Sequence, residues 1–145
     1  MGLEYRSCTI EHIKLIDAVE YQKDDKEIFL RSGGAVLDLS SFAVSVWDGS
    51  RCIGAGGILP VHTGTRAIAW SLFGKGSGKH LAALKRAASR HLRWEPTRRI
   101  EFYISEHFRA GHRWAKMLGF KCETPDGMEA HGPSGEKQYL YARIK

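Results

Sequence analysis

The stretch that decides the reading is Leu72–Leu92, LFGKGSGKHLAALKRAASRHL. Gly74, Gly76 and Gly78 take alternate positions, with Lys75 and Lys79 among them. The apolar run TRAIAWSLF leads in, and Leu81, Leu84, Ala88 and Leu92 follow at helical spacing. This order predicts a strand, a glycine turn and a helix from about Ser77 to Trp94, stopped by Pro96. Glycines let backbone N–H groups converge on a ligand without side chains in the way. A helix N-terminus adds unpaired donors and partial positive charge, and the two lysines add full charges. The combination suits a phosphate-bearing ligand. It is not a dinucleotide fingerprint, which needs Gly or Ala at Lys79. Nor is it a Walker loop, since Phe73 and His80 replace the required Gly and Ser or Thr. A flexible strand-to-helix turn is the bland alternative.

Working outward, Leu3–Cys8 reads as a short strand. Thr9 then caps a helix, with His12 where a capping box would put Glu. Ile10, Ile13, Ile16 and Val19 recur at helical spacing, and a second helical piece spans about Asp24–Arg31 up to Gly33-Gly34. SFAVSVW alternates as a strand, Asp48-Gly49 signals a hairpin, and RCIGAGGIL returns. Gly54, Gly56 and Gly57 mark a bulge or a closely approached backbone. Pro60–Gly64 reads as a turn. RIEFYIS alternates Ile100, Phe102 and Ile104 against Glu101 and Tyr103, which reads as a solvent side. A short helix over about His107–Leu118 ends at Gly119, and FKCET and QYLYARI close the chain as a hairpin. The order is α/β or α+β with a mixed sheet.

The chain has 145 residues, 43% hydrophobic and 26% charged, which predicts one soluble domain over residues 1–145. No apolar stretch reaches the ~18 residues of a membrane span. The start MGLEYRSCTIEH lacks a secretion pattern. Cys8, Cys52 and Cys122 are odd in number and form no CxxC pair, which fits free thiols in a reducing cytoplasm. They do not cluster as metal ligands, and SEHFRAGH is not HExxH, so no metal is expected. The net charge of +6 attracts nucleic acid, acidic protein or phosphorylated small molecules.

GKGSGKHL resembles the acyl-CoA pyrophosphate loop of the GNAT (GCN5-related) N-acetyltransferases, R/Q-x-x-G-x-G/A, with Gly76-Ser77-Gly78 as the G-x-G. VWDGSRCIGAGGIL resembles the family's hairpin, HRWAKMLGFKCET its motif B, and QYLYARIK its last strand. The resemblance covers nearly the whole chain and is firmest from Trp47 to Phe120. The compact tail and the nearly direct step from strand to glycines also resemble small GNAT-related proteins of tailed bacteriophages, which would place the chain in a host cytoplasm. The resemblance implies a mostly antiparallel sheet flanked by helices, whose central strands, 66–73 and 99–105, splay apart. It implies acetyl-CoA as co-substrate, held by Leu72, Phe73, Gly74, Lys75, Gly76, Ser77, Gly78 and Lys79, with backbone N–H near Leu72 polarising the thioester.

The departures are equally specific. Phe73 replaces the loop's Arg or Gln, Ala115 the tyrosine that protonates the leaving thiolate, and Phe108 a frequent Asn. The strand before the loop carries no acid. Glu106 and His107 are the candidate bases, with helix capping and a solvated turn as the alternative. Tyr139 and Tyr141 could reach a substrate groove, though strand tyrosines usually pack. The expected activity is acetyl transfer from acetyl-CoA to an amine of a small molecule or protein. The alternative is an inactive GNAT-fold module that binds a partner protein. The basic stripe Lys79, Arg86, Arg90, Arg93, Arg98 and Arg99 reads as a solvated face, so nucleic acid is not expected, and neither is a membrane.

Overall fold

The Asp48-Gly49 turn joins β2 (Phe42–Asp48) to β3 (Arg51–His62), an antiparallel pair with one register shift. Val46 faces Gly54 and Trp47 faces Cys52, so Ile53 is the extra residue of a bulge. The computed structural model describes residues 2–145. The other strands are β1 (Glu4–Ser7), β4 (Arg66–Phe73), β5 (Arg99–Ser105), β6 (Lys121–Cys122) and β7 (Gln138–Ile144). They form one seven-stranded sheet in the order β1-β2-β3-β4-β5-β7-β6. The β4–β5 ladder is parallel; those of β1–β2, β2–β3, β5–β7 and β6–β7 are antiparallel. The helices are α1 (Ile10–Leu15), α2 (Lys23–Arg31), α3 (Ala35–Leu39), α4 (Leu81–Trp94) and α5 (Arg109–Met117). The expected mixed, mostly antiparallel α/β fold is therefore observed. No helix among the described residues is long and apolar enough to cross a membrane.

The chain groups into two compact units, Met1–Pro60 with Ala69–Ala83, and Val61–Ile68 with Leu84–Lys145. In the first, Ile13, Ile16, Ala18, Phe29, Trp47, Cys52, Ala55 and Leu72 form a buried apolar cluster. His12 completes the capping box in place of Glu: its Nδ1 accepts the Thr9 N–H at 3.3 Å while Thr9 Oγ1 accepts the His12 N–H. The helical spacing of Ile16 and Val19 misleads. α1 stops at Leu15, because the next backbone groups bond to the end of β4 and beyond. The turn expected over Pro60–Gly64 is confined to 63–65, and β3 runs through Pro60. The β2 ladder ends at Ile58, so proline's missing N–H breaks no bond on that side. The short helix α3 follows Gly33-Gly34 where the sequence suggested only a stop.

The β3 glycines answer to close approach as well as to the bulge. A Cβ on Gly57 would lie 2.5 Å from the Phe42 carbonyl oxygen and 2.6 Å from the Trp70 ring. A ladder carbonyl cannot retreat as a side chain can. Gly57→Ala is expected to cost about 3 kcal/mol, the upper range for overpacking, and urea unfolding checks it; a loss below about 1 kcal/mol would contradict this account.

In the second unit β5 pairs with β7 along its whole length. The parallel ladder joins Arg66–Ile68 to Arg99–Glu101. β4 continues five residues past it and β5 four. Phe102 and Phe120 pack at 4.7 Å, and α5 packs on β5. Arg143 donates to the Leu92 carbonyl at 2.6 Å, closing the last turn of α4. Gly119, at φ +89°, ends α5 as its spacing predicts.

Candidate functional site

The three glycines of the loop serve three different needs. Gly74 is buried, and a Cβ there would lie 2.9 Å from the Ile53 carbonyl oxygen, which accepts the Gly74 N–H at 2.8 Å. Gly76 has φ +90°, a left-handed conformation that side chains disfavour. At Gly78 a Cβ would meet nothing within 4 Å, and no unusual φ is required. One glycine thus serves packing, one the turn, and one open approach to the backbone. Ser77–His80 form a 3-10 turn before α4 begins at Leu81, so the helix expected from Ser77 starts tighter and later than its pattern suggests.

The loop is braced from several elements of its own unit. The Lys75 N–H donates to the Asp17 carbonyl at 2.8 Å, and the Arg51 guanidinium donates to the Lys75 carbonyl at 3.1 Å. Arg51 also lies 3.4 Å from where a Cβ of Gly76 would stand. His80 Nε2 meets Asp48 Oδ2 at 3.0 Å. This bond, more than the nearby Lys79 and Arg51 charges, holds the Asp48 carboxyl below its ordinary pKa. Lys75 faces Asp17 at 3.6 Å and Lys79 faces Asp48 at 4.0 Å, both through exposed ammonium groups. Such pairs are worth little in water and yield readily to a stronger anion. The amides of Gly76 and Gly78 take part in none of the loop's cross-links.

The residues at the strand end differ from expectation. A Cβ on Gly54 would lie 3.0 Å from the Leu72 carbonyl oxygen, and one on Gly56 lies 3.3 Å from that of Trp70. Even-numbered backbone groups of β4 therefore face β3, and by the strand's period the odd ones face away. Leu72, fully buried, does not offer its N–H outward. Phe73 does, but its N–H donates to Gln22 Oε1 at 2.7 Å. The Ser71 N–H is the outward group that this end of β4 retains for a ligand. Arg51, Asp48 and Gln22 escaped the sequence reading. The Asp48-Gly49 hairpin signal places Arg51 at a strand start, but nothing local tells where that strand points.

In the second unit, Glu106 and His107 come together as an exposed pair, carboxylate to Nε2 at 3.7 Å. Neither caps α5, whose N-cap is Phe108 with no side-chain cap bond. The Glu106 N–H donates to the Lys137 carbonyl at 2.9 Å. His112 Nε2 lies 3.0 and 3.2 Å from the Ser105 and Glu106 carbonyls, which makes it the donor nitrogen. Its Nδ1 then accepts the Tyr141 hydroxyl at 2.8 Å, so buried Tyr141 packs rather than lining a groove. Ala115 and Phe108 are buried, which makes both positions parts of a core. Glu101 is not on a solvent side. It is 3% exposed and held by Arg66 and Arg99. Among the described residues no group of three or more His, Cys, Asp or Glu side chains could hold a metal ion.

No family model matches the sequence, and no curated relative does. Solved structures do. A GNAT-family acetyltransferase from Streptococcus pneumoniae superposes with a TM-score of 0.67 at 14% identity, covering 99% of both chains. A GNAT-family acetyltransferase from Bacillus anthracis gives 0.62 at 14% identity, covering 98% of this chain and 94% of its own. A ribosomal L7/L12 alpha-N-protein acetyltransferase in complex with coenzyme A gives 0.65 at 14%, covering 98% and 93%. Strand order, helix placement and these superpositions agree: the chain has the GNAT acetyltransferase fold.

Proposed function

We propose that the chain is an acetyl-CoA-dependent N-acetyltransferase acting on a primary amine. The observation that carries this reading is the loop at Gly74–Lys79. It has open approach at Gly78, uncommitted amides at Gly76 and Gly78, and the cations Arg51, Lys75 and Lys79 beside it. These groups would hold the diphosphate of the coenzyme, and the Ser71 N–H would orient the thioester carbonyl. When bound, the coenzyme supplies an acyl group activated for attack. The chain's remaining task is to hold the amine in line and take its proton. Positioning supplies much of such an acceleration, and Glu106, with His107 beside it, is the proposed base.

Acetyl-CoA in excess is expected to raise the melting temperature, because a ligand of the native state stabilises by mass action. Thiol release is expected with an amine panel that includes spermidine and peptide α-amines, the acceptor types named for structural neighbours. Glu106→Gln is expected to lower kcat at least about 100-fold, the low end for general-base loss, with coenzyme affinity unchanged. Absence of any shift with acetyl-CoA would overturn the proposal.

A further inference from the structure

We infer that Gln22 is a positioning residue for the anion loop, reaching it from about fifty residues away in sequence. The inference rests on the loop being the coenzyme site. Gln22 lies in the 3-10 turn Glu20–Gln22 and is 5% exposed. Its Nε2 donates to the Ser71 carbonyl and its Oε1 accepts the Phe73 N–H, both at 2.7 Å. One donor and one acceptor, two residues apart on the outward edge of β4, are what a neighbouring strand would present. The Val19 N–H adds a bond to the Phe73 carbonyl at 2.9 Å, and Ala18 bridges Gly74. Together these bonds clamp β4 up to the residue where the glycines begin.

The clamp cannot come from residue 73 itself, whose phenyl side chain offers neither donor nor acceptor. Nor would Glu serve at position 22. Its carboxylate would still accept from Phe73 but would turn an oxygen toward the Ser71 carbonyl. The polarity of the two bonds therefore selects an amide. With the strand end fixed, Gly76 and Gly78 leave it at one angle, and their amides point at one place. Without the clamp the loop gains freedom that a bound diphosphate must then remove, so affinity falls while turnover at saturation stays.

The test compares wild type with Gln22→Met, which keeps the shape and loses both bonds, and with Gln22→Glu, which keeps only the acceptor. In ligand-free protein, hydrogen exchange of the hydrogen-bonded Lys75 and Ser77 amides is expected to rise about tenfold in Gln22→Met, with β5 amides unchanged. Gln22→Glu is expected to show a smaller rise. Measured well below melting, the Kd for coenzyme A should rise about tenfold in Gln22→Met, and kcat at saturating acetyl-CoA should stay within about twofold. A Phe73→Gln change made on Gln22→Met should recover part of the affinity. If loop exchange and Kd hold steady while only the melting temperature drops, Gln22 merely satisfies buried groups and the inference is overturned. Should Gln22→Met not fold, an unchanged loop in Gln22→Glu overturns it equally. A wild type that ignores coenzyme A while its loop still loosens in the variants would sink the coenzyme reading and leave the clamp standing.

Discussion

Replacing Glu101 by leucine is expected to destabilise the protein by about 3 kcal/mol at pH 7, the low end for breaking a buried ion pair. Glu101 sits in the middle of β5 with Ile68 beside it on one strand and Ala142 on the other. Arg66 donates to its Oε1 through Nε and Nη2, at 3.0 and 2.8 Å. Arg99 Nε donates to Oε2 at 2.6 Å, and the same guanidinium also grips Glu123. Tyr103 adds its hydroxyl to Oε1 at 3.3 Å. Removing the carboxylate leaves two guanidinium groups facing one another without it. Both keep partial access to water, at 35% and 26% exposure, which places the cost at the low end. For a chain of this size that is a fall in melting temperature of roughly 6–12 °C.

The pH dependence gives the sign. Burial alone would push the Glu101 carboxyl up in pKa; the hydrogen bonds and charges of Arg66 and Arg99 outweigh it and hold it below its ordinary value. The folded pKa is therefore lower than the unfolded one, near 4.3. The stabilisation is complete above that unfolded value and is lost as pH falls through the folded one. The gap between wild type and Glu101→Gln, read by denaturant unfolding, should shrink as pH falls below about 4. A gap that stays constant or widens there would show that the carboxylate is not held by its arginines.

Gly78→Asp is expected to weaken coenzyme A binding at least 100-fold while leaving the fold intact. A Cβ at Gly78 meets nothing within 4 Å, so the side chain fits, and in the proposed binding mode its carboxylate stands beside the diphosphate. A carboxylate about 5 Å from a phosphate charge costs roughly 3 kcal/mol at an effective dielectric near 20. That exceeds the ~2.8 kcal/mol of a 100-fold loss. Gly76→Asp is the contrasting control: at φ +90° it strains the backbone and lowers the melting temperature too. Calorimetric titration with coenzyme A and a thermal melt separate the two. Wild-type affinity in a folded Gly78→Asp protein would remove the diphosphate from this loop.

Much of the fold was legible because its signals are local. The alternation of Phe42–Trp47, the Asp48-Gly49 turn, the apolar stripe of α4 and the Gly119 stop each lie within one element. The loop was legible for the same reason, since it is contiguous. Errors came where a distant partner overrode a local pattern. Ile16 and Val19 have helical spacing, yet β4 claims the Val19 N–H. Glu101 alternates toward what reads as a solvent side, yet two arginines, one of them 35 residues away, bury it.

What the amino-acid order determined alone is the succession of strands and helices, and a glycine turn between β4 and α4. Periodicity and backbone freedom act over a few residues, so they can be read without a fold. Which glycine is open, which amides remain uncommitted, and that Gln22 and Arg51 reach the loop were decided only in three dimensions. Those facts depend on hydrogen bonds between residues as many as 51 positions apart, and one-dimensional order carries no signal of that reach.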